Sequence, residues 1–102
     1  PVVNEQAQQD MILGLWINGV DQQQDAVLIL MEQKKYIECK VLQANFMDIA
    51  QFQQITQMGM QYCLISQPDI VVEQDIDAQL LKINIPTRYK LTKITNHAKK
   101  FF

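Results

Sequence analysis

The sequence predicts an α+β fold, a small and mainly antiparallel β domain with one or two short helices. Three observations lead there. An apolar run, MILGLWI, ends in Asn18-Gly19, and Asn-Gly after β-forming residues is a strong hairpin signal because both residues adopt positive φ at little cost. Several further runs of strand length follow, separated by charged or Asp- and Pro-containing turns. Between them, near residues 45–60, the apolar spacing changes from a strand period to a helical one.

Residues 11–17 are the first expected strand, with Met11, Leu13, Leu15 and Ile17 on one face and Ile12, Gly14 and Trp16 on the other. Apolar groups on both faces predict a strand inside a sheet or one covered on each side, and Gly14 leaves room for a close neighbour. Upstream, residues 1–10 are polar apart from Val2 and Val3 and lack periodicity, so we expect a flexible N-terminal arm. A short apolar spot on such an arm suits a segment that orders on binding.

After the Asn18-Gly19 turn, residues 21–25 are expected to form a Gln-rich connector, residues 26–31 (AVLILM) a second strand and residues 32–35 a charged turn. Residues 36–42 alternate as a third strand, with Tyr36, Glu38 and Lys40 opposite Ile37, Cys39 and Val41. A helix is expected over 48–58, with Asp48 as its cap and Gly59 as its stop. Next come a brief strand at 62–65, a turn at 66–69, and a second hairpin with strands 70–74 and 79–85 around a turn at 75–78. Pro86 ends it. The last stretch, 87–102, is basic and places Leu91, Ile94, Ala98 and Phe101 at near-helical spacing; a linker is the expectation for it.

A chain of 102 residues is expected to form one domain, and 48% hydrophobic with 20% charged residues is the composition of a folded one. The net charge of −2 and pI near 5.2 give no electrostatic reason for a nucleic-acid partner. No apolar run reaches the roughly 18 residues of a membrane-spanning helix. The sequence opens at Pro1 without an initiator Met or a signal segment, so a processed or trimmed chain is expected.

Chemistry-bearing clusters are sparse. Cys39 and Cys63 suit either a disulfide or two buried thiols. With the single His97 they fall short of a metal site, and no motif supports a thiol nucleophile. Asp69, Asp75 and Asp77 flank turns, where aspartate serves the backbone, and the three glycines form no phosphate-cradling pattern. An interaction module without cofactors is therefore the expectation, ahead of an enzyme.

In order, the chain presents an apolar strand ending in Ile17-Asn18-Gly19, a strand, a charged turn, YIECKVL, a segment ending in Gly59, YCLIS, Pro68, and the hairpin IVVEQDIDAQLLKINIP. This ordered set resembles the N-terminal periplasmic domain of outer-membrane ushers of the chaperone-usher pilus pathway, and in size and divergence the archaic, Csu-type ushers. Pro68, Ile70, Val72, Asp75, Gln79, Leu81, Ile83, Ile85 and Pro86 follow the family's hairpin pattern, and the resemblance covers residues 11–86. Two features depart from it: the usual hairpin glycine is absent from residues 32–35, and the 46–60 stretch is longer and richer in Gln.

The resemblance implies a recruitment domain at the periplasmic face of the outer membrane that selectively docks a pilus chaperone loaded with a pilin subunit. It implies a monomeric domain on residues 11–86, with 1–10 as an arm that orders on the chaperone and 87–102 as a linker toward a pore barrel. It also implies Val2 and Val3 on the arm with Leu13 and Trp16 on the folded part as partner-binding residues, and a Cys39–Cys63 disulfide. The alternative expectation is a self-associating ring domain of a secretion channel.

Overall fold

The computed structural model describes residues 8–91; the expectations for Val2, Val3, the rest of 1–7, and 92–102 lie outside the described residues. Seven strands, β1 (Gln9–Ile17), β2 (Val20–Met31), β3 (Lys34–Glu38), β4 (Gln54–Gln57), β5 (Met60–Leu64), β6 (Val71–Asp75) and β7 (Leu80–Asn84), form one sheet in the order β4-β5-β3-β2-β1-β7-β6. Every pairing is antiparallel except β1 with β7, which is parallel. One short helix, α1 (Cys39–Gln43), and two 3₁₀ turns, Ile49–Gln51 and Thr87–Tyr89, complete the described elements. The domain is mainly β, and its one sheet is mixed.

One face of the sheet carries the main core. Leu13, Leu15 and Ile17 of β1, Ala26 and Leu28 of β2, Ile37 of β3, and Leu81 and Ile83 of β7 meet Val41 and Leu42 of α1 and Met47, Phe52, Ile65, Ile70, Ile85 and Tyr89 of the connections. Each fully buried Leu or Ile contributes about 1.5–3 kcal/mol. The expected alternation of β1 holds: its odd-numbered residues face this core.

The Asn18-Gly19 turn forms as expected, with φ of 50° and 81°. Its Asn18 does more than turn the chain. The Asn18 N–H donates to Ile83 O (2.8 Å), its side-chain Nδ2 donates to Ile85 O (3.2 Å), and Ile85 N–H donates to its Oδ1 (2.7 Å). The hairpin tip is thus fastened to the far end of β7.

Four expected boundaries differ. The Gln-rich connector is strand: β2 begins at Val20 and pairs Asp21 with Trp16 and Asp25 with Gly14, the register shifting where Gln23 takes a φ of 56°. Backbone pairing to β1 forms this ribbon, while its side chains project to solvent and so show no apolar alternation. The third strand stops at Glu38, because the Ile37, Cys39, Val41 pattern continues into α1, whose Cys39, Val41 and Leu42 are buried on one side. Over five residues the strand and helix periods cannot be told apart.

The helix expected over 48–58 is absent. Asp48 caps only the 3₁₀ turn, its Oδ1 accepting from Ala50 N–H at 3.1 Å. Met58 and Gly59, with φ of 52° and 77°, make a tight turn between β4 and β5, so the chain doubles back where a helix would continue. The residues at helical spacing separate accordingly: Phe52 enters the main core, Ile55 lies on the opposite sheet face, and Met58 is fully exposed. Finally, the packed chain runs past Pro86 to Leu91, since Tyr89 is buried, Met47 and Lys90 form a β-bridge, and Leu91 N–H donates to Phe46 O at 2.9 Å.

At the β2–β3 turn, Glu32 and Gln33 are both left-handed, with φ of 53° and 66°. Side chains there are strained by roughly 1–2 kcal/mol per residue. The hairpin signal at this turn was carried by strand patterning alone.

Cys39 and Cys63 form a disulfide with a Cα–Cα distance of 5.1 Å. It ties the start of α1 to β5 across 24 residues. In the chain-entropy view, closing a loop of this size stabilises the fold by about 3.5 kcal/mol. Replacing both cysteines by alanine should lower the unfolding free energy in urea by about 3 kcal/mol, and a loss below 1 kcal/mol would show that the bond does not restrain the unfolded chain.

Candidate functional site

The second face of the sheet is the candidate site. Residues paired directly across strands share a face, so register places Asp10, Ile12, Gly14 and Trp16 of β1 on it beside Ile29, Val27, Asp25 and Asp21 of β2. It continues through Tyr36 and Glu38 to Leu64, Tyr62 and Ile55 on one side, and through Leu80 and Lys82 to Asp75 and Glu73 on the other. We call this the outer face.

One half of the outer face is filled and the other open. Ile29, Tyr36 and Leu64 are buried there, with Val27, Met31, Ile55 and Tyr62 packed around them. The amides of Gln8 and Gln57 donate to each other at 2.9 and 2.8 Å, joining the chain entering β1 to edge strand β4. A flat sheet would separate β1 and β4 by about 19 Å, four spacings of about 4.8 Å, so the sheet curls with its outer face inside the bend. Tyr62 and Asp10 are close enough within this curl that the carboxylate adds to the upward shift of the phenol, whose main cause is burial, with Glu38 second.

Toward β7 the face is more open. Ile12 is 67% exposed although it lies in an interior strand. Gly14 has no side chain, and Leu80 occupies the space above it: a Cβ on Gly14 would stand 3.1 Å from Leu80 Cδ2. This is the close neighbour the sequence left room for. Trp16 is half-buried, with Lys82 Nζ 5.3 Å from its ring centroid. An aliphatic and an aromatic group therefore flank a shallow interval on one strand.

The expected partner residues divide between faces. Trp16 lies on the outer face and is partly accessible, whereas Leu13 is 4% exposed in the main core and offers no docking surface. The reason is parity: side chains three positions apart on a strand point oppositely. Ile12 was missed, although the same alternation groups it with Trp16.

Carboxylates border the outer face. Asp10, Asp21, Asp25, Glu73 and Asp75 are exposed, and Glu38, buried, accepts from Val27 N–H at 2.9 Å. Among the described residues the ammonium groups on this face are Lys34 and Lys82, fewer than its carboxylates. Glu73, Asp75 and Asp77 also line an open hollow at the β6–β7 hairpin with Lys82. Asp75 Oδ1 accepts from Ala78 N–H (3.1 Å), the turn-forming role its sequence position suggests.

Both cysteines are in the disulfide, so neither thiol is free, and His97 lies outside the described residues. Among the described residues no cluster of three or more His, Cys, Asp or Glu could hold a metal ion, and no helix is long and apolar enough to cross a membrane. Comparison with known proteins yields no matching family model, no matching curated protein and no matching solved structure.

Away from the outer face, the C-terminal end of the described chain is locked by charge. Arg88 Nε donates to Asp69 Oδ2 (2.7 Å), Arg88 Nη2 donates to Tyr89 OH (2.7 Å), and that hydroxyl donates to Asp69 Oδ1 (2.8 Å). The Tyr89 ring stacks against Phe52, 4.9 Å between centroids. The hydrogen bond from Arg88, then that from Tyr89, holds the Asp69 carboxyl below the usual aspartate range. A carboxyl lowered on folding stabilises the fold above its unfolded value of about 4 and loses that contribution as pH falls through the folded value. The melting temperature of Arg88→Met should therefore lie below wild type at pH 7, and the gap should shrink below pH 4. A gap independent of pH would remove Asp69 from the linkage.

Proposed function

We propose that this chain is the N-terminal recruitment domain of an outer-membrane usher, held in the periplasm, where it docks pilus chaperones loaded with a pilin subunit. The ordered set of motifs supports the reading, and so does a mainly β domain with a Cys39–Cys63 bridge. The observation that carries it is the outer face: Ile12 stands exposed on the same face as half-buried Trp16, on the strand that follows residues 1–8 in sequence. An arm and a sheet face meeting at one strand can grip one partner together, and neither needs a cofactor.

In this reading the work is selective binding. The arm supplies Val2 and Val3, and the folded part supplies Trp16 with Ile12 in the place expected of Leu13. Large apolar groups at the centre of an interface carry most of the binding energy, while polar neighbours exclude water.

The domain should bind a cognate chaperone–subunit complex at least tenfold more tightly than the free chaperone in calorimetry, and equal or absent binding would sink the proposal. Removing residues 1–7 should weaken docking without lowering the melting temperature, whereas unchanged affinity would take the arm out of the mechanism. Sizing the isolated domain should give a monomer; a ring-sized species would favour the secretion-channel reading.

A further inference from the structure

We infer that the open half of the outer face recognises a basic partner surface: an aliphatic or aromatic side chain of the loaded chaperone, flanked by lysine or arginine, seated between Ile12 and Trp16 within a border of carboxylates. The inference rests on the recruitment reading above and adds the chemistry of the partner and the residues that select it.

Three observations carry it. Ile12 is 67% exposed on β1 just before the Gly14–Ile17 stretch that pairs on both sides, where a polar residue would be the ordinary choice for solvent. Gly14 between Ile12 and Trp16 lets Leu80 of the neighbouring strand lie over the β1 backbone, so the surface between the two side chains is the apolar Leu80 side chain. A partner side chain resting on Leu80 would lie between Ile12 and the Trp16 ring, which stand about 13 Å apart along the strand at four residues of about 3.3 Å.

The third observation is charge. Asp25 pairs with Gly14, Asp21 with Trp16 and Asp75 with Leu80, so carboxylates stand beside these three residues, while Ile12 pairs with Val27. Glu73 pairs with Lys82, the cation that lies over Trp16. Lys82 is exposed and is the one cation of this border among the described residues, outnumbered by the exposed carboxylates of Asp21, Asp25, Glu73 and Asp75. A border of like charge around an apolar centre selects a partner of opposite charge and repels an acidic one, and it speeds encounter more than it strengthens the final contact. An acidic partner would bring like charges together at several points.

Ionic strength separates the two parts. Exposed charges are screened beyond about 10 Å at 0.1 M salt and about 3 Å at 1 M, while apolar contact is not weakened by salt. The chain 1–102 would be titrated with the purified chaperone–subunit complex at 50 and 500 mM NaCl. Wild type should bind at least tenfold more weakly at the higher salt, with most of the change in the association rate. Asp25→Asn with Glu73→Gln should reduce that salt dependence several-fold, and Ile12→Ser should weaken binding about tenfold at both salt concentrations. All three substituted residues are exposed, and an unchanged melting temperature would verify the fold.

Tight binding that is indifferent to salt, to the carboxylate pair or to Ile12 overturns this inference and leaves the recruitment reading standing. Binding that strengthens with salt overturns it as well. No binding of the complex by wild type at either salt concentration overturns both.

Discussion

The parallel pairing of β1 with β7 is the constraint on which the rest of the fold depends. The β1-β2-β3 meander and the β6–β7 hairpin are each local products of turns, and only Gly14 to Ile17 against Leu80 to Ile83 makes them one sheet. Asn18 extends this seam past the end of β1 by exchanging hydrogen bonds with Ile85 through its side chain. Loss of a partly buried bond of this kind costs about 1–3 kcal/mol when its partner is left unsatisfied. The seam also brings Leu15 and Ile17 against Leu81 and Ile83, so the main core spans both halves.

β1 is an interior strand with a neighbour at each edge, and its two sets of side chains meet different environments. Leu13, Leu15 and Ile17 are enclosed by α1 and the connecting segments, whereas Ile12 and Trp16 face a sheet surface covered only where it curls. The curl divides the outer face into a filled half, with Tyr36 and Ile29 at its centre, and an open half bordered by acids. A strand with apolar residues on both sides thus has two physical explanations, one for each face.

Much of this order was legible in the residues. The Asn18-Gly19 turn, the alternation of β1, and the hairpin ended by Pro86 depend on interactions close in sequence, and each formed within a residue or so of its expected place. What could not be read was set by distant partners. The Gln-rich start of β2 is a strand only because β1 lies beside it, and the 48–58 stretch is a 3₁₀ turn followed by β4 because Met58-Gly59 accepts left-handed φ and returns the chain along β5, while Phe52 packs against Tyr89 across the core. Alternation puts Leu13 and Trp16 on opposite faces of β1, and the structure shows the first in the main core and the second partly accessible. The border of carboxylates depends on which strands are neighbours, and sequence order does not reveal that.

The disulfide has a consequence for the chain's exposed turns. Residues 39–63 form a closed ring that includes the β4–β5 turn, where Met58 is fully exposed. Backbone cleavage by a protease at that turn would open the ring without dividing the molecule. The two segments would remain one covalent entity, with β5 still paired to β3 and the newly made ends at the surface, so a nick that separates an unbridged chain would here leave its mass almost unchanged until the bridge was reduced.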